Sequence, residues 1–356
     1  MNVFTRHLNA LLSVVSTDMA IDLGIANTLV YVKGKGIVLN EPTIVAINKK
    51  TGQLVAGGNE AKTMQGRTPS HIDVVRPLVD GVISDFEVAE EMLSYLVGKV
   101  RNDMHSLIAP RMLIGVPSGI TNVEMRAAQD AAKNAGARDV FLIEEPVAAA
   151  IGAKLPIQKA IGSMIIDIGG GTTDIAVLSL NGLVVSKNLR VAGDHLNASI
   201  ISYIRDQFKV HVGERTAEDA KIALASISSG DASKELVARG RDAVTGLPRE
   251  VVITDADVRD AVASQVDTIV DTVRDVLEKT PPEVMADIMQ RGIHLSGGGA
   301  LIPGLAPLLE HALQVPVIVV PDPLRAVIRG AGIVIENLDD YKEILIDHED
   351  SIATYV

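Results

Sequence analysis

The chain has 356 residues, of which 47% are hydrophobic and only 3% aromatic, and it carries a formal net charge of −12. At ~150 residues per domain, this length predicts two or three domains with a large aliphatic core, as in α/β proteins. The absence of cysteine excludes disulfide scaffolds, thiolate catalysis and cysteine-ligated zinc, and it favours a reducing compartment. The acidic balance, without a long run of either sign, disfavours a nucleic-acid partner.

Residues 2–16 predict an amphipathic helix ahead of the folded part of the chain. Its apolar side consists of Phe4, Leu8, Leu11, Leu12 and Val15. This helix either docks on its own domain or lies in a membrane surface as an anchor, although only Arg6 and His7 are basic. No stretch approaches the ~20 apolar residues of a membrane span, and no signal-peptide cleavage site follows the helix. We therefore expect neither a secreted nor an integral membrane protein.

A strand–turn–strand pattern occurs twice in the sequence. Residues 19–32 predict a strand, a polar turn and a second strand, with a third strand at 36–40, and the same design returns at 163–178. At a shared offset of 145 residues, Asp22, Gly24 and Thr28 match Asp167, Gly169 and Thr173. A period this long indicates a duplication of whole domains and not a solenoid.

Hydrophobic periodicity predicts the remaining elements of the two halves. Helices are predicted at 84–101, 122–135, 147–153, 196–209, 217–227, 255–279, 282–291 and 304–313, and strands at 111–116, 140–143, 293–296 and 316–320. Thr216 and Thr280 are predicted as the N-caps of the helices that follow them. Segments 40–80 and 191–250 interrupt the repeat, so we expect a smaller inserted subdomain in each.

Both duplicated turns consist largely of small residues, which leaves several backbone N–H groups open to a phosphate chain. The candidate contacts are Gly24, Ile25, Ala26, Asn27 and Thr28 in the first turn and Gly169, Gly170, Gly171, Thr172 and Thr173 in the second. Neither turn contains Lys or Arg, so a bound polyphosphate needs a cation. Asp22 and Asp167, at the strand ends, are suited to hold Mg2+ directly or through water. One Asp-x-Gly turn is usually only a turn, but its duplication favours a binding role.

Three further segments could bind the base and ribose of a nucleotide or take part in catalysis. Gly297-Gly298-Gly299 lies between a predicted strand and helix, where bare backbone can contact a nucleotide. Glu214 and Lys221 could border an adenine or ribose pocket, although helix capping alone would also explain this segment. Glu144 and Glu145 end a strand before an Ala-rich helix. One of them could activate water for attack on a γ-phosphate, or both could simply favour the helix N-terminus.

Other reaction classes lack their motifs in this sequence. There is no G-x-x-x-x-G-K-[ST] phosphate loop, no H-E-x-x-H and no G-x-S-x-G. Val116-Pro117-Ser118-Gly119 looks like a serine-hydrolase turn but has the wrong spacing. The eight histidines are scattered and offer no ligand pair for zinc.

In their order along the chain, these motifs resemble those of the actin-like ATPases, and most closely the bacterial rod-shape-determining actins of the MreB type. The resemblance covers residues 19–340 and is carried by Asp22-Leu-Gly-Ile-Ala-Asn-Thr28, Glu144-Glu145-Pro146, Asp167-Ile-Gly-Gly-Gly-Thr-Thr-Asp174, Gly213-Glu-Arg-Thr-Ala217 and Leu295-Ser-Gly-Gly-Gly-Ala300. It implies an α/β, actin-like (ribonuclease H-like) fold of two duplicated lobes with a nucleotide cleft, each lobe with a smaller inserted subdomain.

The resemblance also implies domain borders. After an N-terminal helix at 1–17, the first lobe would consist of a core at 18–40, 80–152 and 330–356 with an insert at 41–79. The second lobe would consist of a core at 153–190 and 251–329 with an insert at 191–250.

The same resemblance implies ATP or ADP as the ligand, Mg2+ near Asp22 and Asp167, and Glu144 as the residue that activates water. The nucleoside would be lined by Glu214, Arg215, Thr216, Ala217 and Lys221, and the pocket would be closed by Gly297, Gly298, Gly299 and Ala300. Ile25 replaces the Thr that is usual in the first turn, which removes one hydroxyl but keeps the backbone contacts.

Members of this family hydrolyse ATP slowly and form antiparallel double filaments on the inner face of the cytoplasmic membrane, where they organise wall synthesis. The resemblance therefore implies a cytoplasmic, membrane-peripheral cytoskeletal ATPase that determines cell shape. Its partners would be further copies of the chain, the membrane surface and membrane proteins of the wall-elongation machinery. The N-terminal helix would bind the membrane, and Leu107 and Ile108 would form a second contact, although ordinary packing explains them equally well.

Three alternatives share the duplicated hairpins. A sugar kinase would need a substrate pocket with a base near the γ-phosphate, and residues 191–250 offer no obvious one. A seventy-kilodalton heat-shock chaperone would carry a β-rich peptide-binding domain after the last glycine run. A plasmid-partitioning actin would not need the amphipathic N-terminal helix.

Overall fold

The computed structural model describes residues 18–79, 81–104, 108–228 and 234–346. The helix predicted at 2–16 lies outside them. The chain divides into two compact units, the first formed by residues 1–159, 180–183 and 325–356 and the second by 160–179 and 184–324. The finer borders of the inserted subdomains stay a prediction.

The strands, in chain order, are β1 (Met19–Leu23), β2 (Asn27–Val32), β3 (Gly36–Pro42), β4 (Val45–Asn48), β5 (Leu54–Gly57), β6 (Ile72–Val75), β7 (Leu78–Val79), β8 (Val82–Ile83), β9 (Arg111–Val116), β10 (Asp139–Glu144), β11 (Ser163–Ile168), β12 (Thr173–Ser179), β13 (Gly182–Leu189), β14 (Val210–His211), β15 (Glu235–Asp242), β16 (Pro248–Thr254), β17 (Ile293–Ser296) and β18 (Val317–Val319). The hairpins predicted at 19–32 and 163–178 are confirmed as β1–β2 and β11–β12.

The helices are α1 (Gly58–Met64), α2 (Phe86–Met104), α3 (Asn122–Asn134), α4 (Glu145–Gly152), α5 (Gly193–Phe208), α6 (Glu214–Leu224), α7 (Asp255–Lys279), α8 (Pro282–Arg291), α9 (Leu305–Leu313) and α10 (Ala326–Glu336). Short 3-10 helices occupy Gly298–Leu301, Pro323–Arg325 and Lys342–Ile344. No helix in the described part of the chain is long and apolar enough to cross a bilayer.

The two units repeat one sheet topology. The strand order is β10-β9-β1-β2-β3 in the first unit and β18-β17-β11-β12-β13 in the second. The register repeats as well, because Leu23 pairs with Thr28 in the first hairpin and Ile168 pairs with Thr173 in the second. These pairs are 145 residues apart, so the duplication predicted from the sequence is confirmed at the level of strand order and register.

Each unit has its own aliphatic core. In the first, Ile21 of β1 and Ile114 of β9 pack with Leu93 of α2 and Ala131 of α3. In the second, a larger core joins strands β11, β12 and β17 to helices α5 and α7. These cores lie against one face of each sheet and hold the turns that follow β1 and β11 in place.

Helices α4 and α10 of the first unit approach each other unusually closely. A Cβ on Gly330 would lie 1.8 Å from the carbonyl oxygen of Ala148, and a Cβ on Gly152 would lie 1.9 Å from that of Ala326. The Nε of Arg329 donates to the Gly152 carbonyl at 3.2 Å. Glycine is therefore required at both crossing points, because any side chain would push the helices apart.

Two predicted N-caps are wrong. Gly213, and not Thr216, precedes α6, so Thr216 lies inside the first turn of that helix. Thr280 ends α7 and its hydroxyl donates to the Val276 carbonyl, so the N-cap of α8 is Pro281. Thr216 already has helical geometry, whereas Thr280 is extended and its hydroxyl bonds back to the helix that it ends.

Candidate functional site

The first turn, between β1 and β2, is supported from inside the fold by a threonine that sequence reasoning missed. The hydroxyls of Thr43 and Thr28 lie 2.9 Å apart, and both residues are buried. The Thr43 hydroxyl donates to the Gly24 carbonyl, and its backbone N–H donates to the Ala26 carbonyl at 3.1 Å. The turn is thereby held rigidly from behind, which suits a backbone site for a ligand.

The predicted residues of this turn differ in what they present to solvent. Ala26 and Asn27 are exposed, whereas the Thr28 hydroxyl faces Thr43. Ile25 is buried in the core of the unit. A Cβ on Gly24 would lie 2.8 Å from the Asn27 carbonyl oxygen, so the tight turn requires glycine there.

The second turn, between β11 and β12, is held by the N-terminus of α5. The backbone N–H groups of Gly193 and Asp194 donate to the carbonyls of Gly169 and Gly170 at 3.2 and 2.7 Å. The Thr173 hydroxyl donates to the Val191 carbonyl at 2.7 Å. Thr173 thus matches Thr28, because in each hairpin the threonine at the repeated position is fully buried and its hydroxyl bonds inward.

The remaining residues of this turn differ in how far they are buried. Gly169 and Gly170 are half-buried, and Gly171 and Thr172 are buried. The N–H of Gly169 donates to the Thr172 carbonyl at 2.9 Å, which closes the turn.

Asp167 carries a strongly perturbed charge in the candidate site. Its carboxylate is buried, and burial raises its pKa from 3.8 to about 6. The hydroxyl of Ser296 donates to Oδ1 at 2.6 Å and opposes this rise, whereas the nearby negative charge of Asp174 adds to it. A bound cation would offset the cost of this buried charge.

Asp22 and Asp167 offer carboxylate oxygens, which are ligands that Mg2+ binds. Asp22, half-buried at the end of β1, and Asp167, near the end of β11, occupy the same position of the repeated hairpin. Among the described residues, no three His, Asp or Glu side chains cluster closely enough to form a cage for a metal ion. Mg2+ commonly keeps several waters and takes only one or two carboxylates, so each aspartate by itself offers an oxygen ligand of the kind that it prefers.

Helix α6 contributes to the surroundings of the second turn. The Nζ of Lys221 donates to the Gly193 carbonyl at 3.0 Å, next to the two glycine carbonyls that α5 binds. At the start of the helix, Glu214 and Arg215 are exposed, Thr216 is half-buried and Ala217 is buried. The structure therefore places Lys221 beside the second turn.

The third glycine run packs against the end of β11. A Cβ on Gly297 would lie 2.3 Å from the Ile168 carbonyl oxygen, and a Cβ on Gly299 would lie 2.3 Å from the Ile168 side chain. Gly297 also has a φ of +78°. Gly298 meets only Leu324, at 3.6 Å, and Ala300 is buried. Close packing beside Asp167 thus accounts for two of the three glycines.

Glu144 ends β10 and precedes α4. It occupies the N-cap position of α4, yet its side chain makes no capping hydrogen bond. Its Oε2 accepts a hydrogen bond from the hydroxyl of Ser118 at 3.1 Å. The carboxylate is therefore held by a serine in the loop that follows β9, the neighbouring parallel strand.

The predicted membrane contacts fall largely outside the described residues. Phe4, Leu8, Leu11, Leu12, Val15 and Leu107 lie outside them. Ile108 is described and is half-buried.

The duplicated sheets, with a small-residue turn and an aspartate in each, define an actin-like protein. The chain belongs to the MreB/Mbl family, whose pattern it matches over residues 16–343. It is 49% identical over 323 residues to the cell shape-determining protein Mbl of Bacillus cereus, covering 90% of this chain and 96% of that one.

Three solved structures show the same likeness. MreB5 of Spiroplasma citri bound to ADP has a TM-score of 0.86 and 39% identity, and the match covers 92% of this chain and 98% of that chain. The filament of MamK has a TM-score of 0.73 and 26% identity, with 90% of this chain and 98% of that chain covered. MreB5 has also been solved with AMPPNP, at the same TM-score of 0.86.

Proposed function

We propose that this chain binds ATP and ADP with Mg2+ through its two hairpin turns and hydrolyses ATP slowly. The observation that carries the proposal is the repeated turn geometry with a buried Asp167, whose charge calls for a cation. Small residues leave backbone N–H groups for phosphates, and Asp22 and Asp167 would hold the ion through water or directly. The ADP and AMPPNP complexes of MreB5 support a nucleotide ligand.

Within this proposal, Glu144 activates the attacking water. Its carboxylate lies at the carboxyl end of a sheet strand, is not used to cap α4 and is oriented by a hydrogen bond. A positioned carboxylate of this kind can orient water and accept its proton. Lys221 and the residues at the start of α6 would line the nucleoside, with the segment at Gly297–Ala300 on its other side.

In this proposal, ATP turnover changes the assembly state of the chain. We infer that the chain forms homopolymers, namely the antiparallel double filaments that the family resemblance implies, and that the predicted helix at 2–16 attaches them to the inner membrane surface. The MamK filament supports self-association, and the name of Mbl supports a role in cell shape. Contacts to membrane proteins of the wall-elongation machinery would couple the filament to wall synthesis.

The test combines sedimentation, electron microscopy and phosphate release. The purified chain would be mixed with anionic liposomes, with ATP or ADP and with Mg2+ or EDTA, beside a truncation that lacks residues 1–16. We expect ATP- and Mg2+-dependent filaments on vesicles, and soluble filaments from the truncation. ATP hydrolysis without a polymer under any condition would contradict the cytoskeletal proposal. Attachment of filaments of the truncated protein to the liposomes would contradict the role of the helix.

A further inference from the structure

The loop after β9 contains a buried hydroxyl that contacts the carboxylate of Glu144. Ser118 is 4% exposed, and its Oγ donates to Oε2 of Glu144 at 3.1 Å. It lies two residues beyond Val116, which pairs with Glu144 in the parallel register of β9 and β10. The carboxyl ends of two adjacent strands therefore bring the hydroxyl and the carboxylate together.

The loop that presents this hydroxyl is rigid on both sides. Pro117 restricts the backbone before Ser118, and Gly119 follows it with a φ of +71°, a conformation that favours glycine. Thr121 then forms a capping box with Glu124, in which the Thr121 N–H donates to the carboxylate at 2.7 Å. The hydroxyl is thus held in place before any ligand binds.

The carboxylate that it meets needs such support. A glutamate side chain has several rotatable bonds and loses substantial entropy when it is fixed. The Glu144 side chain makes no capping hydrogen bond at the N-terminus of α4, and its hydrogen bond with Ser118 restricts the carboxylate. A group that must orient an attacking water within a few tenths of an ångström depends on neighbours that restrict its rotamers.

We propose that Ser118 is a positioning residue for ATP hydrolysis, whose hydroxyl holds the Glu144 carboxylate in the orientation that activates water. This inference rests on the proposed function. In the step, the water oxygen bonds to the γ-phosphorus, and the bond to the bridging oxygen breaks with its electron pair leaving on ADP. The water proton passes to Glu144 and then to solvent, while Ser118 keeps its own proton.

The experiment compares Ser118→Ala, Ser118→Thr and Ser84→Ala in the full chain. Ser84 is the control, because this exposed serine of the same unit donates its hydroxyl at 3.1 Å to the Pro77 carbonyl and not to Glu144. The readouts are kcat, KM and equilibrium affinity for ATP with Mg2+, the amount of sedimented polymer and the unfolding temperature. We expect Ser118→Ala to lower kcat about 10-fold with the other readouts unchanged. Ser118→Thr should recover kcat to within about twofold, since it restores the donor, and Ser84→Ala should keep the wild-type kcat.

Each other outcome overturns the inference. A wild-type kcat in Ser118→Ala, or a loss of kcat that follows lost affinity or stability and is not rescued by threonine, would show a merely structural serine. Glu144→Gln separates this failure from that of the proposed function. If Glu144→Gln hydrolyses ATP as fast as the wild type, or the wild type does not hydrolyse it, the assignment of Glu144 fails, and that of Ser118 fails with it.

Discussion

The buried carboxylate of Asp167 should destabilise the ligand-free second unit at neutral pH. Burial raises its pKa from 3.8 to about 6, against the opposing hydrogen bond from Ser296 and with a further rise from Asp174. The folded unit therefore binds this proton more tightly than the unfolded chain does. Stability falls as pH rises from about 4 to about 6, and the full cost remains at higher pH. A shift of about 2 pKa units corresponds to about 3 kcal/mol.

Asp167→Asn removes the charge but keeps the shape and the acceptor for Ser296. We expect the variant to be more stable than the wild type by up to about 3 kcal/mol at pH 7.5 and by almost nothing at pH 4. For a unit of about 160 residues, this difference corresponds to about 6–12 °C in unfolding temperature. Asp267→Asn, which neutralises an exposed carboxylate on α7, is the matched control and should show no such gain.

The assay is thermal unfolding of nucleotide-free protein in EDTA, followed by circular dichroism from pH 4 to pH 8. Adding Mg2+ and ATP should stabilise the wild type more than Asp167→Asn, because the cation offsets a charge that the variant lacks. A pH-independent difference between the two proteins, or a less stable variant at pH 7.5, would refute this reasoning.

Two substitutions test the packing and the charge pairing of the first unit, and urea unfolding measures both. Gly330→Ala places a methyl group against the backbone of α4 and should cost about 3 kcal/mol, whereas Gly98→Ala, in open space on α2, should gain about 0.5–1 kcal/mol. An unchanged midpoint in Gly330→Ala would contradict the observed helix crossing. Arg111→Met removes the guanidinium that pairs with the buried Asp18, whose Oδ2 accepts from the Arg111 Nε at 2.9 Å, and should cost about 3–5 kcal/mol. Arg239→Met, which breaks an exposed pair, should cost less than about 1 kcal/mol, and equal losses in the two arginine variants would contradict the role of burial.

Long periodic helices and buried strands could be predicted from the sequence with good accuracy. The helices predicted at 255–279 and 282–291 and the strand at 293–296 have those bounds in the structure. Their apolar spacing and the Pro and Gly residues at their ends are local signals. Gly292, with a φ of +85°, ends α8 as its position indicated.

The elements that were not predicted depend on contacts distant in sequence. Helix α10 is not predicted from the sequence because it is apolar apart from Arg329 and Glu336 and contains two glycines, which lower helix propensity. It is stabilised by packing: Gly330 fits against α4, and Gly332 fits against the ring of Tyr31. The sequence does not predict the short strands β4–β7 and β14–β16, which lie in or beside the inserts at 40–80 and 191–250, since short strands are recognised only when their partners are known.

In the candidate site too, features with a local sequence signal are predicted, and those that depend on contacts distant in sequence are not. The repeated spacing of Asp, Gly and Thr identified both turns, because an internal duplication can be seen without a structure. Thr43, Ser118 and Ser296 act as supports across strands, and no spacing rule connects them to the turns or to Glu144. Which of the predicted residues contact a nucleotide stays a prediction.

The most direct test of the central proposal is a structure of this chain with AMPPNP and Mg2+. The account predicts phosphate oxygens against the backbone of both turns, at residues 24–28 and 169–173, and a magnesium ion near Asp22 and Asp167. It also predicts that Glu144, still bonded to Ser118, faces the γ-phosphate. Nucleotide bound elsewhere, or phosphates that contact neither turn, would contradict the account.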